Sequence, residues 1–204
     1  IKIDETYFQI VTNYLVDKAI LIYKMRLKFI NKINDKCEKI FFELSKLNGF
    51  NIKYIPNFIV NNDENNLKED LLKIYEKNYK KELKLGTTLY GPHRDELEFY
   101  LKDKNLKTYG SQGQKRLAIL ATKLSEIEIF KQFKNSVPIL LLDDVFSELD
   151  DIKKNNLIKY LNDEIQVIIT TTELKNVNKF KKANIYKIKN GEIVKIKEVE
   201  KDGK

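Results

Sequence analysis

The segment from residue 110 to residue 150 constrains the fold of this chain more than any other. Ser111-Gln112-Gly113-Gln114 is a Gly-containing turn. It opens a stretch from about Gln114 to Lys134 in which Leu117, Leu120, Leu124 and Ile127 recur at three- and four-residue spacing, the pattern of one helix face. Residues 137–142 are then apolar throughout, as in a buried parallel strand. The run ends on two carboxylates, Asp143 and Asp144, and a polar turn follows with Ser147, Glu148, Leu149 and Asp150. Turn, helix, apolar strand, paired acids and turn, in that order, predict an α/β lobe with its chemistry at a strand tip.

Ligands of open α/β sheets bind beyond the carboxyl ends of the strands, where Asp143 falls. A hard cation such as Mg²⁺ takes oxygen ligands and keeps several waters, so one strand-tip carboxylate suffices to hold it beside phosphates. Alternation along the strand directs Asp144 to the other side, where it can orient or deprotonate a water. At the turn, Ser111 can cap the helix and Gly113 lets backbone amides approach an anion, in the favourable field of a helix N-terminus. Each element has a plain reading too: acids are common at strand tips, and the four turn residues alone read as a helix cap. Their combination in register carries the functional reading.

Around this segment the chain divides into a helical part, residues 1–86, and an α/β part, residues 87–204. Phe8, Val11, Leu15, Ile22, Met25 and Phe29 form a heptad-like stripe, interrupted by Lys18. It shifts by one residue and resumes at Ile33, Cys37, Ile40, Leu44 and Leu47, a stutter in one long helix. Asn48-Gly49 is the expected end, with Gly49 as a left-handed cap. A short strand at 52–55 and a polar loop at 61–66 lead to a second helix, about Leu67 to Leu85, with Leu67, Leu71, Ile74 and Asn78 on one face. The two helices read as an antiparallel arm, or as an ordinary helical subdomain. Further on, residues 96–102 and 107–109 read as a hairpin about Asp103-Lys104-Asn105, 152–161 as a helix, 165–169 as a buried strand, 173–181 as a helix, and 184–189 with 192–197 as a hairpin across Asn190-Gly191.

Past Gly86 the segments Gly91-Pro92-His93-Arg94-Asp95, Gly110 to Arg116, Leu140 to Asp150 and Ile169 to Thr172 resemble, in the same order, the carboxy-terminal half of the RecF family of bacterial recombination mediators. That family is similar to the head domains of SMC-type ATP-binding-cassette (ABC) ATPases with an inserted helical arm. The resemblance implies a fold class, the carboxy-terminal lobe of an ABC-ATPase head with an attached α-helical arm domain, and it implies roles. Asp143 matches the Walker B metal carboxylate, for Mg²⁺, and Asp144 the position of the catalytic acid. Ser111, Gln112, Gly113 and Gln114 match the signature that contacts ATP bound by the partner protomer. Ser147, Glu148, Leu149 and Asp150 match the D-loop at the dimer interface. Thr170, Thr171 and Thr172 lie where other ABC ATPases carry a switch histidine.

Gln112 in place of Gly, Asp144 in place of Glu and the missing switch histidine depart from transporter motors and agree with RecF. Asp95-Glu96 departs mildly from the Asp-Asp of the family. The implied function is an ATP-dependent homodimer that acts at gapped DNA, with RecR and RecO as partners, in the cytoplasm. No phosphate-binding loop of the form G-x-x-x-x-G-K-[ST] occurs in the 204 residues. The chain is therefore expected to be a piece of a larger ATPase that is inactive alone, with Ile1 an internal boundary. Two alternatives remain open: another SMC-like head, for which an arm of about 60 Å is short, and a non-catalytic helical interaction module.

Composition fits these readings. There is no apolar run of membrane-spanning length, and the single cysteine, Cys37, excludes a disulfide framework and suits a reducing compartment. The net charge of +8 suits a nucleic-acid surface, but interleaved acids and a Lys-, Ile- and Asn-rich composition explain it equally. His93, the one histidine, reads first as a structural residue. Phe99, Tyr100 and Tyr109 read as core aromatics ahead of stacking groups for single strands.

Overall fold

The computed structural model describes residues 4–58, 66–134, 137–147, 149–161, 165–172, 180 and 182–200. It begins with a continuous 41-residue helix, α1, Glu5–Ser45. The Asp4 carboxylate caps it by accepting the amides of Thr6 and Tyr7 at 3.0 and 3.1 Å. Its end differs from expectation. Lys46, at φ 62°, takes the left-handed cap position, and its amide donates to the Phe42 carbonyl. Gly49, at φ 82°, lies one turn later and instead serves the loop into β1, Phe50–Ile55.

The second helix, α2, spans Leu67–Leu85 and ends on Gly86 at φ 63°. It lies antiparallel to the first half of α1, since Phe8 meets Tyr79 edge-on and Lys68 pairs with Asp17. Leu67, Leu71 and Tyr75 are its buried residues. The predicted stripe on α1 is not the buried seam, although Phe8 touches Tyr79. Phe8, Val11, Leu15, Ile22, Met25 and Phe29 are exposed, while Val16 and Ala19 are buried against Leu71, Tyr75 and Phe58. Ile20 and Tyr23 pack against the same cluster. The larger side chains flank it. From Ile30 onward the prediction holds as far as Leu44: Ile33, Cys37, Ile40 and Leu44 are buried in the main core, while Leu47 lies beyond the helix and is exposed.

β1 pairs antiparallel with β2, Glu96–Leu101, in the register Phe50 to Leu101 through Ile55 to Glu96. β3, Lys104–Asn105, adds to β2. Residues 107–109, read from sequence as a strand, form instead the short helix α3, Leu106–Tyr109, capped by the Asn105 side chain. Asn34 of α1 clamps β1 sideways, its amide donating to the Ile52 carbonyl and accepting the Ile52 amide, both at 2.8 Å.

The signature helix, α4, Gln112–Lys134, starts two residues earlier than predicted and packs along the second half of α1. Gly110 is required just before it by close approach, since a Cβ there would lie 2.6 Å from the Leu106 carbonyl oxygen. β4, Leu140–Leu142, is shorter than the apolar run because residues 137–139 form no strand. It pairs in parallel with β5, Val167–Ile169, which covers only part of the predicted 165–169. Between them runs α5, Asp151–Tyr160.

Neither strand is buried on both faces, as the sequence had suggested. Leu140 and Leu142 point into the core, while Leu141 is 70% and Ile168 50% exposed. The helices cover one side of this two-stranded sheet only. β6, Lys182–Lys189, and β7, Glu192–Glu200, form the predicted hairpin, with Asn190 at φ 51° and Gly191 at φ 80° as the two-residue turn requires. The helix predicted for 173–181 lies almost wholly outside the described residues. Among these residues no helix is long and apolar enough to cross a membrane.

Candidate functional site

Parallel pairing sets the carboxyl ends of β4 and β5 side by side, Leu142 opposite Ile169. The Thr170 amide donates to the Leu142 carbonyl at 3.0 Å, which carries the pairing one residue past the strands. The Thr170 hydroxyl therefore sits between the two acids. It donates its proton to an Asp143 carboxylate oxygen and accepts the Asp144 amide at 3.0 Å. One threonine fixes the Asp143 carboxylate and the backbone beneath Asp144. Strand alternation does not govern Asp144, because the strand stops at Leu142 and Asp144 turns into the left-handed region at φ 44°. Aspartate tolerates this conformation better than most residues.

The next turn is built on the Asp144 carbonyl. It accepts the Ser147 hydroxyl at 3.0 Å, the Ser147 amide at 3.4 Å and the Arg116 guanidinium at 3.1 Å. Phe146 and Leu149 anchor the turn in the main core, so the Leu149 side chain packs inward while Ser147 and Asp150 face out. Asp150 caps α5, accepting the Lys153 amide at 2.9 Å and its ammonium at 2.5 Å. The Lys153 ammonium, with its amide, holds the Asp150 carboxyl below the usual carboxylate range. Glu148 lies outside the described residues.

At the signature, the Ser111 hydroxyl accepts the Gln114 amide at 3.3 Å and the Gln114 side chain accepts the Ser111 amide at 2.9 Å. This is a capping box. It uses the Gln114 amide and leaves those of Gln112 and Gly113 without an intrahelical partner, as at any helix start. Gln112 is exposed and Gly113 half-buried. The signature and the acids are not hydrogen-bonded to each other among the described residues. Arg116, less than two turns into α4, connects them through the Asp144 carbonyl. Sequence reasoning gave Arg116 no role, although its place in the second turn of the signature helix was the available signal. Thr171 is half-buried and Thr172 exposed beyond Thr170.

Among the described residues no three His, Cys, Asp or Glu side chains converge on a point. A cation at the strand tip would rest on Asp143 and draw its other oxygens from water and phosphate. That donor set suits Mg²⁺ and no all-protein cage.

A second constellation lies in the Gly91-Pro92-His93-Arg94-Asp95 turn. The Asp95 side chain, 2% exposed, accepts Arg26 of α1 at 2.7 Å, the Tyr54 hydroxyl of β1 and the Asn57 amide at 2.9 Å. Arg26 also donates to the Pro92 carbonyl. Burial, and then the Asp95 carboxylate, push the Tyr54 phenol far above its usual range. Asp95 is a clasp between the helical part and the sheet. His93 bonds the Thr88 carbonyl at 3.0 Å, in keeping with a structural residue. Gly91, at φ 126°, leaves room for the Tyr75 hydroxyl that donates to the Tyr90 carbonyl. Of the sheet aromatics, Phe99 stacks on Phe50 and Tyr100 bonds Glu98, while Tyr109 is 69% exposed.

No protein-family model matches the chain. It is similar to the DNA replication and repair protein RecF of Halalkalibacterium halodurans, with 38% identity over 172 residues, 83% of this chain and 46% of that protein. RecF of Oceanobacillus iheyensis is 36% identical over 180 residues, 86% of this chain and 48% of that one. The chain thus spans about half the length of the curated relatives it matches. Among solved structures, the recombination mediator RecF with ATP, of the RecFOR pathway, superimposes with a TM-score of 0.76 at 31% identity, over 96% of this chain and 52% of that one. An SMC head bound to the C-terminal winged-helix domain of ScpA superimposes at 0.50 with 18% identity, over 90% of this chain and 49% of that one, a likeness of fold alone.

Proposed function

We propose, from the premise that the chain belongs to the RecF family, that it is one half of an ATP-dependent DNA repair and replication protein and supplies the carboxylate and signature parts of its nucleotide site. The observation that carries this reading is the Thr170–Asp143–Asp144 cluster at adjoining strand ends, joined by Arg116 to the helix that Ser111 heads. Asp143 would hold Mg²⁺ on the nucleotide phosphates. Asp144 would align the attacking water. Ser111, Gln112, Gly113 and Gln114 would meet the phosphate of a nucleotide bound by a second protomer, so that ATP closes a homodimer. Ser147, Glu148, Leu149 and Asp150 would line that interface, with Leu149 as its inward anchor, and Thr170, Thr171 and Thr172 would occupy the switch position.

The open face of β4 and β5, with Leu141 and Ile168 exposed, supports a role as half of a larger lobe. The other half would bring the phosphate-binding loop. The first half of α1 with α2 would form the arm of residues 1–86. Its base is shared with residues 87–204, since β1 pairs with β2 and Ile30 to Leu44 enter the main core. In this reading the whole protein dimerises on ATP at gapped DNA, helps load recombinase there, and works with RecR and RecO. Ser111→Arg in the whole protein tests it. A bulky cation at the capping box obstructs closure while leaving the nucleotide's own protomer untouched. ATP binding persists and ATP-driven dimerisation, read by light scattering, is lost. An unchanged ATP-dependent dimer refutes the cross-protomer role.

A further inference from the structure

Three lysines from two loops converge beside the signature helix. Lys46 ends α1, and Lys102 and Lys104 flank the turn between β2 and β3. With Gln114 of α4 they line one cleft of about 530 Å³. The loops are locked together. The Lys102 amide donates to the Gly49 carbonyl at 2.6 Å, and a Cβ on Gly49 would lie 3.2 Å from the Lys102 side chain. Lys46 lies over the Phe42 ring, with its ammonium 5.6 Å from the ring centre.

The charge in this cleft is unbalanced. None of the three ammonium groups is paired with a carboxylate among the described residues. Among the described residues Asp103 is the one acid on the rim. Lys46 and Lys102 also sit at φ 62° and 56°, where glycine or asparagine is the ordinary choice. The chain keeps a long cationic side chain at two such positions on the same cleft.

We propose that this cleft binds a phosphate of a nucleic-acid backbone and so seats nucleic acid against the helix that carries the signature. The inference rests on the functional reading above and adds a site to it. The lining favours a backbone phosphate over a free nucleotide. Among the described residues it contains no aromatic ring on which a base could stack, and it offers cations on an open frame. Gln114 lines the cleft and its side chain holds the Ser111 amide. A phosphate seated here therefore lies one side chain away from the capping box.

The test is DNA binding by the whole protein, followed by fluorescence anisotropy over a series of salt concentrations. Each phosphate contact adds about 0.9 to the slope of log affinity against log salt, or roughly eightfold in affinity at about 0.1 M salt. Lys102→Gln combined with Lys104→Gln is expected to lower the slope by about 1 and to weaken binding roughly eightfold. ATP affinity and ATP-driven dimerisation stay at wild-type levels. Asp103→Lys, on the same rim, tightens DNA binding and steepens the slope, which guards against reading a folding defect as a lost contact. An unchanged slope in both variants, with the wild type binding DNA, overturns the site and leaves the functional reading standing. Loss of ATP affinity with unchanged DNA binding assigns the cleft to nucleotide phosphate and also overturns it. Failure of the wild-type protein to bind DNA under any nucleotide condition overturns the functional reading and the site together.

Discussion

Replacing Asp95 with alanine removes, in one step, the acceptor for Arg26, for the Tyr54 hydroxyl and for the Asn57 amide. The three losses differ in size. The Arg26 side chain is 43% exposed, so water takes over much of its solvation and the pair is worth about 0.5–1 kcal/mol. The Asn57 amide is exposed and adds about 1 kcal/mol. The Tyr54 hydroxyl is half-buried on an ionised acceptor, and stranding it costs about 1.5–3 kcal/mol. The expected loss is about 3–5 kcal/mol. Tyr54→Phe removes only the hydroxyl and costs about 1.5 kcal/mol, because the carboxylate keeps its other partners. Urea unfolding measures both, with tyrosine fluorescence and far-ultraviolet circular dichroism as probes, since the chain has 11 tyrosines and no tryptophan. An Asp95→Ala cost below about 1 kcal/mol would refute the clasp, because even one stranded half-buried hydroxyl exceeds that.

Stability also has an alkaline limit. Burial, as the largest cause, raises the phenols of Tyr54, Tyr75 and Tyr160, with Tyr75 pushed up from 10.0 to about 12. The folded chain holds these protons more tightly than the unfolded one, so their contribution is complete below about pH 10 and is lost progressively above it, for Tyr75 as pH rises toward about 12. Phenolate absorbance and circular dichroism followed together should show these three ionising only with unfolding; full ionisation near pH 10 in a folded chain contradicts this. If the proposed roles hold, Asp144→Asn in the whole protein is expected to slow hydrolysis by about 10²–10⁴-fold with cation binding kept, and to lengthen DNA residence. Wild-type turnover in that variant would make Asp144 a structural acid whose task is the turn at φ 44°.

Some local signals carry through, although the end of α1 at Lys46 in place of Gly49 and the helical turn at Leu106–Tyr109 do not follow them. The bounds of α2 and the left-handed Gly86 follow from periodicity and a terminal glycine, and Asn190-Gly191 gives the hairpin because both residues accept positive φ. The order of signature, strand, acids and turn is also local and appears as expected. Errors arose where a partner decides. The stripe from Phe8 to Phe29 is the more regular pattern, but α2 packs on Val16 and Ala19 instead. Residues 137–142 are uniformly apolar, yet pairing along β5 makes strand of only three of them. Lys107 to Tyr109 turn helical once Asn105 caps them. The Asp95 clasp joins residues 69 and 41 positions apart, a separation at which spacing carries no signal. The Arg116 link likewise spans 28 positions.

The continuity of α1 has a mechanical consequence. From Ile30 to Leu44 the helix is embedded beside α4, with Cys37 against Thr122, whereas from Glu5 to Phe29 it extends away from the main core. With no break among its 41 residues, it behaves as a lever whose fulcrum lies next to the signature helix. The limb, packed on α2 and tied through Arg26 to Asp95 near its base, is about 38 Å long at 1.5 Å per residue, so a tilt of about 5° at the fulcrum would carry its tip about 3 Å. A rearrangement of α4 too small to unpack the core would thus arrive at Val11 and Leu15, exposed side chains near the tip of the limb, as a displacement comparable to a side-chain contact.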